Sequence, residues 1–270
     1  MAGTFISELF ASLDGRWNEV NVLLELANAE EEKSSDLYHA VCRSTSLLLV
    51  SHFEGIIKET AKAIVQDLNK FSKFSDAPLQ VRRTFCRPFV AQKEDDPKDI
   101  EQRTKKLIAV FDALDTKFEV EAFLSQNQFG NNNKNPSPNV IEKICENFGV
   151  RGFFKKIQHS SIEIVFSDTP TDLNNLHDEL RTEIITNTKT FPYTINLAKF
   201  NIGPNPEEPD KKSLYEDFLD NLLKKRHGIA HGSDTENSSS VGDLQKDLVK
   251  VQFLVFAFFM VICDRISQPN

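Results

Sequence analysis

The chain has 270 residues, of which 40% are apolar, and this is enough to bury the core of one large domain or two ordinary ones. Its 32 lysines and arginines are outnumbered by 40 aspartates and glutamates, which gives a net charge of −8. This balance excludes the extended basic surface that most nucleic-acid-binding proteins carry, so any contact with RNA must use a local basic patch.

The cysteines and the apolar stretches limit the cellular compartments in which we expect the protein. The four cysteines are far apart and form no C-x-x-C pair, which argues against a disulfide framework and a zinc cage and favours a reducing cytoplasm. No charged start followed by an apolar run indicates a signal peptide. The most apolar stretch, 251–263, falls well short of the roughly 20 residues that cross a bilayer, so we expect a buried core helix and no membrane partner.

The first part of the chain has the period of amphipathic helices. Apolar residues recur at three and four places over 5–29 and predict a first long helix. A second long helix follows, which Ser35 is placed to cap and whose apolar positions run to Leu68. The Asp96-Pro97 step is typical of a helix start, and a third helix is expected with apolar positions as far as Phe118.

Three segments, 72–99, 127–139 and 200–212, lack a regular pattern and are predicted to be irregular. Pro78 and Pro88 interrupt the first, the second is rich in asparagine, and the third contains an acidic, proline-rich loop. We interpret them as irregular parts of one domain that spans 1–270.

The middle of the chain mixes two patterns. A short helix is predicted from Pro138 to Phe148, with Gly149 ending it. Segments 160–166 and 193–200 show the only alternation typical of strands.

The last third returns to helices. One is expected to begin at the Thr169-Pro170 step, and Ser213 with Glu216 forms the S-x-x-E capping box of another. A polar loop, 233–240, separates that helix from a final core helix over 244–262. The fold class is therefore mainly α.

The heptapeptide Arg226-His227-Gly228-Ile229-Ala230-His231-Gly232 follows the helix that the capping box starts. It combines a permanent cation with two titratable imidazoles and two glycines. RNA carries its own nucleophile, the 2′-hydroxyl, so an arginine and a histidine suffice to cleave it. The heptapeptide therefore predicts a site for RNA cleavage.

The same heptapeptide resembles the R-[NDH]-x-I-A-H-G motif of the HEPN (higher eukaryotes and prokaryotes nucleotide-binding) superfamily. The segment 43–58 is similar to the second helix of the MAE-type, RiboL-PSP-like HEPN nucleases, and 139–149 resembles their short middle helix. The chain departs from the pattern at His227, where asparagine is commoner, and at Phe53, where tryptophan is usual.

The resemblance implies a HEPN-type helical bundle, here with a partly irregular middle insertion. It also implies a homodimer whose two motifs face each other and cut RNA without a metal or cofactor, often in toxin or antiviral defence. A cell needs control over such a nuclease, so a regulatory protein or antitoxin is a candidate partner. The alternative is a non-catalytic HEPN-like module that binds a nucleotide, RNA or protein.

Each candidate residue has a chemical role in the nuclease hypothesis. Arg226 is always charged and can hold a phosphate bidentately, while His231 titrates near neutrality and can act as general base or acid. His227 either lines the site or orients Arg226. Lys224 and Lys225 are candidates for binding the RNA backbone. One histidine cannot be base and acid at once, so we expect each protomer to supply one imidazole.

Plainer interpretations stay open beside these roles. Cations at a helix C-terminus complement the helix dipole without any catalytic purpose. His227 and His231 form H-x-x-x-H, which can bind zinc if Asp234 or Glu54 joins them. Glu54 itself is a candidate for orienting Arg226, although a salt-bridging surface residue is the more ordinary expectation.

Helical geometry limits how the motif can act. On an unbroken helix Arg226 and His231 are about 140° apart, whereas His227 and His231 share a face. Gly228 or Gly232 would have to loosen the helix end to bring the arginine and His231 together. Other basic groups, such as Arg82-Arg83-Arg87, are expected to be solvated surfaces, and the phenylalanines around them to fill a core.

Overall fold

The computed structural model describes residues 3–92, 95–124, 135–167, 173–203, 212–232 and 239–268. All regular structure in these ranges is helical, which confirms the mainly α fold class. The α-helices are α1 (Phe5–Glu30), α2 (Ser35–Phe71), α3 (Leu79–Val90), α4 (Pro97–Leu114), α5 (Val120–Leu124), α6 (Pro138–Asn147), α7 (Phe153–Ile157), α8 (Leu173–Asn187), α9 (Leu214–Ala230) and α10 (Val241–Ser267).

Helices α1 and α2 form an antiparallel hairpin. Arg16 on α1 pairs with Glu59 on α2 at 2.6 Å, and the Nε2 atom of His52 lies 3.0 Å from a carboxylate oxygen on α1. The start of α2 differs by one residue from the prediction, because Ser34 rather than Ser35 is the N-cap and accepts from the amide of Leu37.

Helix α10 is the centre of the bundle. Its residues from Phe253 to Cys263 are all buried, so the helix is apolar on every side, and it contacts α1, α2, α7 and α8. A helix of this kind is surrounded by protein rather than packed by one face, and the predicted core helix is confirmed. No described helix is both long enough and apolar enough to cross a bilayer.

Helices α2 and α10 run parallel, because polar contacts join their equivalent ends. At the start, the Val241 amide donates to the hydroxyl of Tyr38 at 3.4 Å. At the far end, Tyr193 bridges both helices: its amide donates to Ser267 Oγ and its hydroxyl to Asp67 Oδ2.

Helix α9 packs mainly on α2 and runs antiparallel to α10, because Phe218 of α9 lies against Lys250 whereas the later Lys225 lies against the earlier Asp247. The Nζ atom of Lys225, near the end of α9, lies 3.3 Å from Asp247 Oδ2, near the start of α10. The heptapeptide therefore lies where α2 and α10 begin, and we call this region the motif end of the bundle.

The two predicted strands are wrong. In the first segment, 161–166 form a 3-10 helix, and the backbone carbonyl of Ile162 accepts a hydrogen bond from the Tyr215 hydroxyl. In the second, Tyr193 and Ile195 are buried as the alternation indicated, but the backbone amides of Tyr193 and Asn196 donate to side chains. Alternation alone cannot form a strand when no neighbouring strand accepts its backbone hydrogen bonds.

The segment 72–99 is more regular than predicted, because it contains α3. Pro88 lies inside this helix but only two residues from its end, where the loss of one amide hydrogen bond costs little of the helix. Phe74 and Phe85 are buried against the rings of Phe111 and Phe118 and fill a core as expected, whereas Phe71 and Phe89, which flank the same arginines, are exposed and the expectation is wrong for them.

Helix α6 is confirmed and ends at Asn147, followed by Gly149 with a φ of +88°. Helix α4 ends at Leu114, before Phe118. Several predictions fall outside the described residues: the linker at 127–134, the Thr169-Pro170 helix start, and most of the loops at 200–212 and 233–240.

Asp67 is the main polar contact inside the bundle. It is fully buried and accepts from the amides of Phe5 (2.8 Å) and Ile6 (3.1 Å), which are unpaired donors at the start of α1, and from the Tyr193 hydroxyl (2.7 Å). One carboxylate thus joins α1, α2 and the segment before α9.

We expect Asp67→Asn to destabilise the protein by about 1–3 kcal/mol, because an amide offers one acceptor oxygen and leaves at least one of these buried donors unpaired. The free energy of unfolding in urea would measure this. Asp178→Asn is the matched control, since the Asp178 side chain is 79% exposed and pairs only with the neighbouring His177. An equal, small effect for both variants would contradict the role given to Asp67.

Candidate active site

Helix α9 presents the motif because both of its ends are fixed. At its start the Ser213 hydroxyl accepts from the Glu216 amide and the Glu216 carboxylate accepts from the Ser213 amide, so the predicted capping box is present. At its end His231 is the C-cap and Gly232 has a φ of +70°. No described residue lies within 4 Å of an added Cβ there, and the positive φ by itself favours glycine.

The two histidines of the motif lie together on the solvent side of α9. The ring centroids of His227 and His231 are 4.2 Å apart with an interplanar angle of 52°, and both residues are exposed. The backbone amide of His231 donates to the carbonyl of His227 at 3.0 Å. The expectation that these two imidazoles share a face is confirmed.

Arg226 lies on the opposite, bundle-facing side of the same helix. It follows the buried Leu222 by four residues and precedes the half-buried Ile229 by three, and it is itself half-buried. Its guanidinium makes no hydrogen bond or ion pair with any described residue.

The structure does not bring Arg226 and His231 to one face within a single chain. Helix α9 is continuous through Gly228, which is buried within it, and Gly232 comes only after His231. The expectation that a glycine loosens the helix before His231 is therefore wrong, and the separation of about 140° is kept.

Lys224 and Lys225 line a groove of about 560 Å³ beside the motif. Opposite them lies Lys250 of α10, whose ammonium stands 5.2 Å from the ring centroid of Phe166 and 5.5 Å from that of Phe218. Cations and aromatic rings in one groove are the combination that binds phosphates and stacks bases. Sequence reasoning missed Lys250 and Phe166, because only the packing of α9, α10 and the 3-10 helix joins them.

Two carboxylates, those of Asp217 and Asp247, offset part of the charge of the three lysines in this groove, and the more buried one is Asp247. Its side chain is 10% exposed and pairs with Lys225 at 3.3 Å. Burial raises the pKa of Asp247, and the nearby ammonium of Lys225 opposes that increase. Lys225 is therefore partly neutralised by an internal partner, whereas Lys224 has no ion pair among the described residues.

Glu54 does not reach Arg226 in this chain. Its carboxylate pairs with Lys58, one turn along α2, at 2.6 Å, which fits the more ordinary expectation of a salt-bridging residue. For the zinc alternative, Asp234 lies outside the described residues, and within them no three His, Cys, Asp or Glu side chains form a ligand group.

Comparison with known proteins agrees with the fold. A family model described as RiboL-PSP-HEPN matches residues 11–264. The chain belongs to the RiboL-PSP-HEPN family. No curated protein and no solved structure gives a significant match. A HEPN domain is commonly a ribonuclease or a nucleotide-binding module, and the matched range includes the whole of α9 with Arg226 and His231.

Asp247→Asn is expected to change how the stability of this HEPN protein depends on pH. A carboxyl whose pKa is raised on folding stabilises the protein at acid pH, and that contribution is lost as the pH rises through the folded-state pKa. Asparagine does not titrate. The difference in free energy of unfolding between wild type and variant should therefore shift in favour of wild type from pH 7 towards pH 4.

Urea unfolding across this pH range measures that difference. Asp220→Asn, at an exposed position of α9, is a matched control that leaves Asp247 in place. A shift in the opposite direction would show that the Lys225 pair, and not burial, dominates at Asp247.

Proposed function

We propose that this HEPN protein is a metal-independent endoribonuclease that cleaves RNA through the 2′-hydroxyl and acts as a homodimer. The observation that carries the proposal is the exposed His227–His231 pair, with ring centroids 4.2 Å apart, beside an Arg226 guanidinium that no described residue pairs. A helix end that served only to stabilise the fold would need neither an exposed pair of histidines nor an arginine without an ion-pair partner.

The proposed reaction uses three events at one phosphodiester. A neutral imidazole removes the proton of the 2′-hydroxyl, whose oxygen attacks the adjacent phosphorus. The charge that builds up on the phosphoryl oxygens is stabilised by Arg226, and a protonated imidazole donates to the leaving 5′-oxygen. His231 is the proposed acid or base, and His227 lies within reach to line the site or hold the same proton network.

The geometry of the motif is the support for the proposed homodimer. One protomer holds Arg226 and His231 about 140° apart, so a phosphate at one of them is not held by the other. Exposed apolar side chains lie on the α1–α2 hairpin near the same end of the bundle: Val22 (53%), Leu26 (43%) and Leu37 (44%). A twofold interface there would cover them and bring the arginines and histidines of both chains together, so that each chain supplies one imidazole to a shared site.

The groove beside the motif is the proposed path of the RNA backbone. Lys224, Lys225 and Lys250 supply a local cationic surface on a chain whose net charge is −8, and dimerisation would double it. Phe166 in the same groove offers an aromatic face for a base. Phosphate contacts of this kind hold RNA in place without reading its sequence.

The proposed setting is a cytoplasmic toxin or antiviral defence protein. A nuclease that needs neither metal nor cofactor is active whenever it is folded and assembled, so a regulatory protein or antitoxin is the proposed restraint. An exposed histidine pair at the rim of the bundle is accessible to such a partner.

The second candidate is a HEPN-like module that binds RNA, a nucleotide or a protein without cleaving it. The separation of Arg226 from His231 within one chain favours it, because a monomer with this geometry can bind a phosphate at Arg226 but cannot complete the reaction.

Incubation of the full chain with total RNA in excess EDTA tests the proposal. We expect cleavage products with 2′,3′-cyclic phosphate ends, and a loss of roughly 10²-fold or more in rate for His231→Ala, since the proton transfers then lack their imidazole.

His159→Asn is the matched control, because His159 is 62% exposed on another part of the chain and asparagine tolerates its φ of +59°. Cleavage by His231→Ala at the wild-type rate would remove His231 from the mechanism. RNA that is bound but left intact by every variant, wild type included, would select the binding module.

A further inference from the structure

A second cationic site lies at the far end of the bundle from the motif. A pocket of about 570 Å³ opens where α3, α6 and the end of α10 meet, and four basic side chains line it: Arg83, Lys143, Arg151 and Arg265. Glu146 is the one carboxylate in the lining. The wall therefore carries a net positive charge on a chain whose net charge is −8.

Two of these four cations, Arg151 and Arg265, make no ion pair with a described residue. Arg83 pairs with Glu101 at 3.0 Å and Lys143 with Glu146 at 3.1 Å, so both are partly neutralised. Arg151 is exposed and has no ion pair among the described residues. Arg265 donates through Nε to the Gly149 carbonyl at 3.3 Å, and its two terminal nitrogens make no hydrogen bond within the described chain.

Two buried donor groups of residues that line the pocket also lack a hydrogen-bond acceptor among the described residues. Asn147 is 6% exposed, and its amide nitrogen Nδ2 has no hydrogen-bond partner in the described structure. The Nε atom of Arg83 is likewise buried without one. A buried donor without a partner is unfavourable, and a ligand rich in acceptor oxygens would supply one.

Gly149 keeps the pocket in this shape. Its φ of +88° is unfavourable for other residues, and an added Cβ would lie 3.1 Å from Nε of Arg265. The glycine thus lets the backbone approach the guanidinium closely enough to hold its Nε and turn its remaining donors outwards.

We propose that this pocket binds an oligophosphate group, either free or carried by a nucleotide. Guanidinium groups hold phosphate oxygens bidentately, and several cations around one volume match adjacent phosphates better than a single monovalent anion. The volume falls in the range of pockets for nucleotide-sized ligands. Along α10, Arg265 is 18 residues beyond Asp247, so the pocket lies roughly 27 Å from the groove at the motif end.

Calorimetric titration of the full chain with inorganic tripolyphosphate and, separately, with ATP tests the proposal. We expect binding of at least one of them, weakened roughly tenfold or more in Arg151→Gln and in Arg83→Gln, because each removes a charge-assisted contact. Equal affinity for the two ligands would assign recognition to the phosphates alone, and tighter binding of ATP would assign a contact to the nucleoside.

Arg87→Gln is the matched control, since Arg87 is exposed on the same helix as Arg83 but does not line the pocket. His231→Ala should bind as wild type does, which separates this proposal from the nuclease proposal. The site is refuted if neither ligand binds at millimolar concentration, if sulfate binds equally well, or if Arg87→Gln weakens binding as much as the pocket variants. Circular dichroism spectra would establish that each variant is folded.

Discussion

The parallel packing of α2 against α10 is the constraint on which the rest of the molecule depends. Tyr38 joins the starts of the two helices, and Tyr193 with Asp67 joins their far ends through hydroxyl and carboxylate contacts. Because α9 must then return antiparallel to α10, its C-terminus and the motif lie at the end where α2 and α10 begin. The bundle is acidic overall and has an apolar core, and it carries Arg226, His227 and His231 at its motif end.

The position of the motif at that end of the bundle is the basis for the proposal that a single chain holds half of a site. A helix that packs on the bundle must turn one face inwards, and Arg226 lies towards that face while His227 and His231 face solvent. The helix cannot bring both to one phosphate without unwinding. In the proposed dimer, a second copy across a twofold axis would supply the second imidazole without unwinding the helix, so that activity would require assembly.

Local signals predicted most of the helices and the motif, whereas long-range packing decided the rest. The capping box at Ser213 and the periodicity of α1, α2 and α10 depend on neighbours in sequence, and the structure has them as expected. The strand-like alternation at Tyr193 was a true burial pattern, but side chains rather than another strand accept its backbone hydrogen bonds. The Lys225–Asp247 pair and the arginine pocket join residues from distant segments, so no local pattern indicated them.

The proposed sharing of one site by two chains is tested most directly by mixing subunits. Wild-type and His231→Ala chains, distinguishable by mass, would be unfolded and refolded together at equal concentrations, and ribonuclease activity per total protein measured in EDTA. If each cleavage needs an imidazole from both chains, only wild-type pairs are active, and the activity should fall to about one quarter of that of wild type alone. A fall to about one half would mean that one His231 per dimer is enough for cleavage, and would contradict the account.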